Sequence, residues 1–463
     1  MTEAKQYDVI VIGTGPAGQQ AALHAARRGR RVAIVERRSM VGGVCLHVGT
    51  IPSKTLRESV LYLSGWRLRN IYGSSYAVKN QITMSDLVVR THFVIDRELN
   101  IIQRHMARDS VELVFGVARF TGPNEVMVSA NGQETLLRAD HIVIATGTTA
   151  YRPASIAFDD ETVIDSDQVL QIKELPRRMT ILGAGVIGIE YASIFSTLDI
   201  EVTVVSRSSS FFGFVDREIT DALAYHLRKR GVALRMNEVV SRIEREADGS
   251  PCVLLESGKR IRSQLVMVAS GRSGTAGQLG LETAGIRATE RGLVKVDEHF
   301  RTEAEHIYAV GDVIGFPSLA STSMEQGRRA ACHILGQREL PAMDVFPYGI
   351  YSIPEIAYIG RNEEELTAAG IPYETGVAHY REIAKGEMLG DDTGMLKMLF
   401  HRDTRKLLGV HAIGTDATET IHIGQAVMTL GGTLDYFLEA VFNYPTLAEC
   451  YKVAARDAAE KLD

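Results

Sequence analysis

One pattern occurs twice in this chain and constrains its fold more than any other. The apolar run Tyr7-Asp8-Val9-Ile10-Val11-Ile12 enters Gly13-Thr14-Gly15-Pro16-Ala17-Gly18. Later, Met179-Thr180-Ile181-Leu182 enters Gly183-Ala184-Gly185-Val186-Ile187-Gly188 in the same way. Helical sequence follows each turn, from Gln19 to Arg28 and from Ile189 to Thr197. A β-branched strand comes next in both cases, Arg31 to Glu36 and Glu201 to Ser206. A buried strand, a glycine turn, a helix and a second strand make a βαβ unit. Two such units predict an α/β protein with two Rossmann-like dinucleotide-binding domains.

The glycines specify the chemistry. Gly13, Gly15 and Gly18 bring a strand into a helix with Pro16 in its first turn, so backbone N–H groups at the helix start can hold a pyrophosphate. Glu36 lies 18 residues after Gly18, where a carboxylate accepts hydrogen bonds from a ribose diol, and Arg37 follows it. Gly183, Gly185, Val186, Ile187 and Gly188 repeat the turn, but the residue 18 positions after Gly188 is Ser206, followed by Arg207. A serine there removes the repulsion of a 2′-phosphate, and an arginine can pair with it. The first unit is therefore expected to hold an adenine dinucleotide with a free 2′-hydroxyl, and the second NADP(H) alongside NAD(H).

The rest of the chain fits around these units. His141 to Gly147, containing Ala145-Thr146-Gly147, reads as an apolar strand ending in glycine. Leu265 to Arg272 reads as the strand closing the second unit at Gly271, and His306 to Asp312 ends in Gly311 and a carboxylate. Tyr151-Arg152-Pro153 and Leu175-Pro176 mark an expected linker region. From about Phe346 the texture changes. Strands are expected at Ile350 to Ile359, Met395 to Phe400 and Lys406 to Gly414, with helices at Thr418 to Leu430 and Thr446 to Leu462. The expected domains are 1–150 and 275–345 for the first dinucleotide, 151–274 for the second, and a C-terminal α+β domain at 346–463.

Composition excludes several classes. With 463 residues, 45% hydrophobic and 23% charged, the chain is long enough for several globular cores. A net charge of -6 without a basic cluster argues against nucleic acid. No run approaches the roughly 18 apolar residues of a membrane span. Cys45, Cys252, Cys332 and Cys450 are widely spaced, which fits a reducing compartment and offers no metal-ligand grouping. No secretory signal precedes Tyr7, so a cytoplasmic location is expected.

Gly42-Gly43-Val44-Cys45-Leu46-His47-Val48-Gly49-Thr50-Ile51-Pro52-Ser53-Lys54 completes the set. Together with Gly13-to-Glu36, Ala145-Thr146-Gly147, Gly183-to-Glu190 and Ile307-to-Asp312, it resembles the pyridine nucleotide–disulfide oxidoreductase family over nearly the whole chain. The resemblance implies FAD in the first domain, a nicotinamide nucleotide in the second, and a C-terminal domain that builds a homodimer. It places Asp312 near the flavin's ribityl–phosphate chain, with the segment running on to Ala320. It also pairs Lys54 with Glu190 beside the flavin N5, and sets Cys45 and Thr50 at the redox position.

Two departures stand out. Thr50 replaces the second cysteine of the redox pair, and Tyr444, in Phe442-Asn443-Tyr444-Pro445-Thr446, stands where the acid–base histidine would be. A hydroxyl cannot close a disulfide, and a phenol with an ordinary pKa near 10 is a poor proton shuttle for a thiol. The pattern is similar to the subgroup that passes hydride between NADPH/NADP+ and NADH/NAD+ through the flavin. The expected activity is therefore ping-pong transhydrogenation. Diaphorase or quinone reductase activity and a lipoamide-type dehydrogenase are the alternatives. Cys45 is expected to pack near the flavin and His47 to be an ordinary polar helix residue, with a thiolate favoured by His47 as the alternative.

Overall fold

The computed structural model describes residues 4–338 and 345–462. The expected domain limits at 345 and 463 adjoin or include residues 339–344 and 463, which lie outside the described residues. The chain divides into two compact units, each built from three segments. The first comprises Met1–Leu56, Val88–Tyr151 and Gly271–Ala342; the second comprises Arg57–Leu87, Arg152–Ser270 and Met343–Asp463.

A seven-stranded mixed sheet organises the first unit. Its path runs Glu112–Phe115, Val32–Glu36, Lys5–Ile12, Gln133–Ile144, Glu125–Ala130 and Val117–Gly122, with Ile307–Ala309 also paired to Gln133–Ile144. The glycine-turn strands pair in parallel, Ile10 opposite Ala33 and Ile142. Both faces of the sheet are covered, which is why these strands read as unbroken apolar runs. Ile10, Ile12, Val35 and Ile144 pack on one face with Phe120 and Val126. Val9, Val11, Ile34 and Val143 pack on the other with Ala17, Ala21 and Ala330 of the helices Pro16–Ala26 and Ala320–Ile334. Those two helices touch through Gly327, where an added Cβ would come within 2.0 Å of the Ala17 carbonyl oxygen.

The second unit holds a five-stranded parallel sheet in the order Ala233–Arg235, Glu201–Val205, Arg178–Leu182, Leu265–Val268 and Val163–Asp165. The last strand lies between Pro153 and Pro176, a stretch expected to be linker. The unit also contains an antiparallel sheet of Tyr348–Ile350, Glu355–Gly360, Leu407–Gly414, Met395–His401 and Tyr373–His379. The single strand expected over Ile350 to Ile359 is two strands that reverse on each other, Tyr348 opposite Tyr358. Pro354, which has no N–H to give to a ladder, sits in the reversal. The helices Ala417–Thr429 and Glu449–Leu462 lie close to the expected positions. The expected α/β class with a C-terminal α+β region is the architecture found.

Segment 351–353 fastens this C-terminal sheet to the helix of the second glycine turn. The Tyr351 N–H donates to Glu190 Oε1 at 2.8 Å, and the Ile353 N–H donates to Ser193 Oγ at 3.0 Å. The helices Thr50–Ser64 and Met84–Arg108 carry no glycine or turn signature and were not anticipated.

Candidate functional site

The first glycine turn is shaped by close backbone approach. The Gly13 N–H donates to the Val35 carbonyl at 2.8 Å, and the Ala145 N–H donates to Ile12 at 2.8 Å. Gly13 has φ 109, and a Cβ there would meet the Ala145 carbonyl oxygen at 2.3 Å. On Gly18 a Cβ would meet the Gly13 carbonyl oxygen at 1.9 Å, whereas on Gly15 it would meet nothing within 4 Å. The first glycine thus makes the turn, the third lets helix and strand touch, and the second leaves the helix N-terminus open to a ligand.

A cleft of about 1150 Å³, counted to its open mouth, lies at this turn. Gly13, Gly15, Pro16, Glu36, Arg37, Gly43, Cys45, Thr50, Ala145, Thr146, Gly147, Gly311, Asp312 and Ala320 all line it, so most of the expected first-site residues converge. Gly18 and Gly42 act from behind the wall, the first in helix packing and the second through its N–H on the Thr14 hydroxyl at 3.0 Å. Glu36 is buried. The Thr14 hydroxyl donates to its Oε2, with the Thr14 N–H on the same oxygen at 3.3 Å, and the Arg38 N–H donates to its Oε1 at 2.9 Å. This fixes the carboxylate while leaving it at the cleft wall to accept from a diol.

One observation tests whether these residues fit a dinucleotide. Gly15 lines the cleft at the helix start, and a Cβ added there would meet nothing within 4 Å, which leaves room for a phosphate against the helix N-terminus. With the open helix start at Gly15 and the fixed Glu36, the cleft fits an adenine dinucleotide.

At the other end of the cleft, burial raises the Asp312 carboxyl, and the nearby Arg272 opposes that rise. Arg272 reaches Asp312 through Thr148. Its Nε donates to Thr148 Oγ1 at 2.8 Å, and that hydroxyl lies 3.4 Å from Asp312 Oδ2. Ser323 Oγ approaches Asp312 Oδ1 at 3.4 Å. Thr14, Arg38, Thr148, Arg272 and Ser323 were not anticipated. Thr14 occupies a variable position of the glycine pattern, and the others lie far from one another in sequence.

Cys45 sits on the short helix Gly43–His47, with Thr50 beside it on the cleft wall. Burial pushes its thiol up, against the opposing pull of the Thr50 hydroxyl and the Lys54 charge. The alternative of a thiolate favoured by His47 is not supported, because the His47 ring is turned to the Val41 carbonyl at 2.8 Å. All four cysteines are free. Lys54 is half-buried one turn beyond Thr50 on the helix Thr50–Ser64 and belongs to the first unit, while the buried Glu190 belongs to the second. Tyr444 is 69% exposed.

The second glycine turn repeats the first. Gly183 has φ 117, and a Cβ there would meet the Ala269 carbonyl oxygen at 2.4 Å. On Gly188 a Cβ would meet the Gly183 carbonyl oxygen at 2.1 Å, and on Gly185 it would meet nothing within 4 Å. Val186 and Ile187 open the helix Val186–Ser196. Ser206 is buried at the end of its strand, and its hydroxyl accepts from the Ser208 N–H at 3.2 Å. Arg207 is exposed. Gly271 has φ 115 and belongs to the first unit, where its carbonyl accepts the Tyr151 N–H at 3.0 Å.

Elsewhere in the second unit, Asp216, Glu218 and Glu363 converge. The Lys397 ammonium sits among them, 3.0 Å from Asp216, 3.1 Å from Glu218 and in contact with Glu363, so the carboxylates are paired with a cation of the chain itself.

Comparison with known proteins agrees with this arrangement. The model of the pyridine nucleotide-disulphide oxidoreductase family matches residues 7–327, and the model of its dimerisation domain matches 346–455. A soluble pyridine nucleotide transhydrogenase of Mycobacterium tuberculosis is 50% identical over 460 residues, covering 99% of this chain and 98% of the relative. One from Vibrio vulnificus is 43% identical over 467 residues and covers 100% of both chains. Among solved structures, the HOCl-induced flavoprotein disulfide reductase RclA of Escherichia coli aligns with a TM-score of 0.88 at 28% identity, covering 97% of this chain and 99% of that one. LpdA of Mycobacterium tuberculosis aligns with a TM-score of 0.89 at 25% identity over 97% of this chain and 99% of that one. Two matched glycine turns, the cleft at the first of them and the full-length relatives place the chain in the pyridine nucleotide-disulphide oxidoreductase family.

Proposed function

We propose that this chain is an FAD-dependent NAD(P)+ transhydrogenase. FAD occupies the cleft of the first unit, and NAD(H) and NADP(H) take turns at the second glycine turn. When bound, the flavin supplies a hydride acceptor and donor, and the protein's part is to position and polarise. Backbone N–H groups at Gly15 and Ala17, on either side of Pro16, are assigned to the pyrophosphate, Glu36 to the adenosine diol, and Asp312 to the ribityl end. Lys54 is assigned to polarity at the reacting atom, and Ser206 and Arg207 to the adenosine end of the nicotinamide nucleotide.

The observation that carries this reading is Thr50 beside Cys45 on the cleft wall, a hydroxyl where a disulfide reductase needs a second sulfur. Without a sulfur carrier, electrons that reach the flavin return to a pyridine nucleotide. The full-length relatives support the same conclusion. The C-terminal segment matching the dimerisation model is assigned to a homodimer. Among the described residues no helix is long and apolar enough to cross a membrane. With four free cysteines, the proposed location is the cytoplasm.

Steady-state rates with NADPH as donor and NAD+ as acceptor test the proposal. Parallel double-reciprocal lines are expected, because both nucleotides use one pocket in turn. Intersecting lines, or dihydrolipoamide turned over faster than either nucleotide pair, would refute it.

A further inference from the structure

We propose that Glu238 supplies, from the neighbouring strand, the carboxylate that position 206 lacks, and that Lys259 lets the same place accept a 2′-phosphate. This deepens the reading of the second glycine turn as a nicotinamide nucleotide site and rests on it.

The two units locate Glu238. In the first, the Gly116 N–H donates to the Glu36 carbonyl at 2.8 Å, just after the strand Glu112–Phe115, and Gly116 lines the cleft beside Glu36. Ser206 stands at the position of Glu36, and its carbonyl receives the corresponding bond from the Glu238 N–H at 2.9 Å. Before that bond, the Ser206 N–H donates to the Arg235 carbonyl at 2.9 Å, and Arg235 lies opposite Val205 in the sheet. The second unit spends one more residue on this path, and Asn237 absorbs it with φ 57 and an N–H to the Ser208 carbonyl at 3.1 Å. Glu238 thus takes the place of a glycine that borders the first site. It brings a side chain where the first site has none, at the carboxyl edge of a parallel sheet, where nucleotides bind in this architecture.

The charges around it suit two ligands. Glu238 is 8% exposed. Its Oε1 pairs with the Lys259 ammonium, and its Oε2 accepts from Ser257 Oγ at 2.7 Å. Lys259, then Ser257, hold the Glu238 carboxyl below the usual range. The Lys259 side chain is 56% exposed and rides on a flexible stem, so it can exchange Glu238 for another anion. Arg207 and Arg235 are exposed at the same edge. A free diol has Glu238 as acceptor. A 2′-phosphate carries about -1.5 to -2 charges, and three cations stand against the one carboxylate. Ser206 alone offers neither arrangement, because its hydroxyl, which accepts from the Ser208 N–H, carries no charge.

Calorimetric titration of the full-length, flavin-loaded protein with 5′-AMP and with 2′,5′-ADP tests this without turnover. Wild type is expected to bind both. Glu238→Gln should weaken 5′-AMP by about fivefold or more while 2′,5′-ADP binds equally well or more tightly. Lys259→Met should weaken 2′,5′-ADP by about fivefold or more and leave 5′-AMP within about twofold. If either variant changes both ligands by the same factor, or neither variant moves the ratio, the assignment is overturned. If wild type binds neither fragment, the second-site reading falls and this inference with it. Should Glu238→Gln fail to accumulate as folded protein, the ratio in Lys259→Met decides alone.

Discussion

The two glycine turns are built alike and end differently. Each closes with an N–H bond of 2.8 Å from its first glycine to the neighbouring strand, Gly13 to Val35 and Gly183 to Val205. Each opens an eleven-residue helix capped by an extended glycine. The divergence comes one strand later. Glu36 is buried and fixed by Thr14 and Arg38, whereas Ser206 is followed by an exposed arginine and flanked by Glu238 with its lysine. The backbone is thus a common holder for a pyrophosphate. On the proposed reading, a few side chains at the carboxyl edge of the sheet decide which adenosine it accepts. On the reading proposed above, the first site takes one ligand through a fixed carboxylate, and the second takes two through one carboxylate set among three cations.

The largest effects should come from breaking one turn and sparing the other. In Gly13→Ala the new Cβ must displace a backbone carbonyl at 2.3 Å in a left-handed conformation. The cost is about 3 kcal/mol, and the visible absorbance of bound flavin should be lost. Gly183→Ala meets the same geometry at 2.4 Å but should keep the flavin and lose its reduction by NADPH. Loss of flavin from both variants would show that the two turns do not serve separate ligands.

A smaller effect should follow from making the second site resemble the first. Ser206→Glu should weaken NADP(H) by about tenfold, ~1.4 kcal/mol, and leave NAD(H) nearly unchanged. Arg207→Ala should act in the same direction by about 1.5–3 kcal/mol, the range for a hydrogen bond to a charged group. Equal weakening of both nucleotides by Arg207→Ala would remove that arginine from the phosphate site.

The smallest effect is expected at Cys45. Cys45→Ala should keep nucleotide-to-nucleotide transfer within about tenfold of wild type. Because burial raises this thiol, its alkylation by iodoacetamide should be slow at neutral pH and accelerate only above the ordinary thiol range near ~8.5. Fast alkylation at pH 7 would mean a thiolate and would restore a redox part for the sulfur.

Much of this was legible in the sequence because glycine spacing and strand periodicity are local. The turn at Gly13, the carboxylate at Glu36 and the helix ending at Leu462 needed no knowledge of distant segments. What escaped notice was assembled across the chain. Glu238 lies 32 residues beyond Ser206, and only the parallel crossover brings them together. Arg272 meets Thr148 by pairing of the short strands Thr148–Ala150 and Arg272–Gly274. The reversal within 350–359 was hidden because its apolar residues stay buried on both sides of the turn, so the composition does not change.

Thr14 has one further consequence. Its hydroxyl accepts from the Gly42 N–H and donates a hydrogen bond to Glu36. Gly42 is the cap of the short helix that carries Cys45. The clamp on the sugar and the scaffold under the sulfur are therefore pinned by one small side chain. Thr14→Val would remove the hydroxyl from both contacts and loosen the two together.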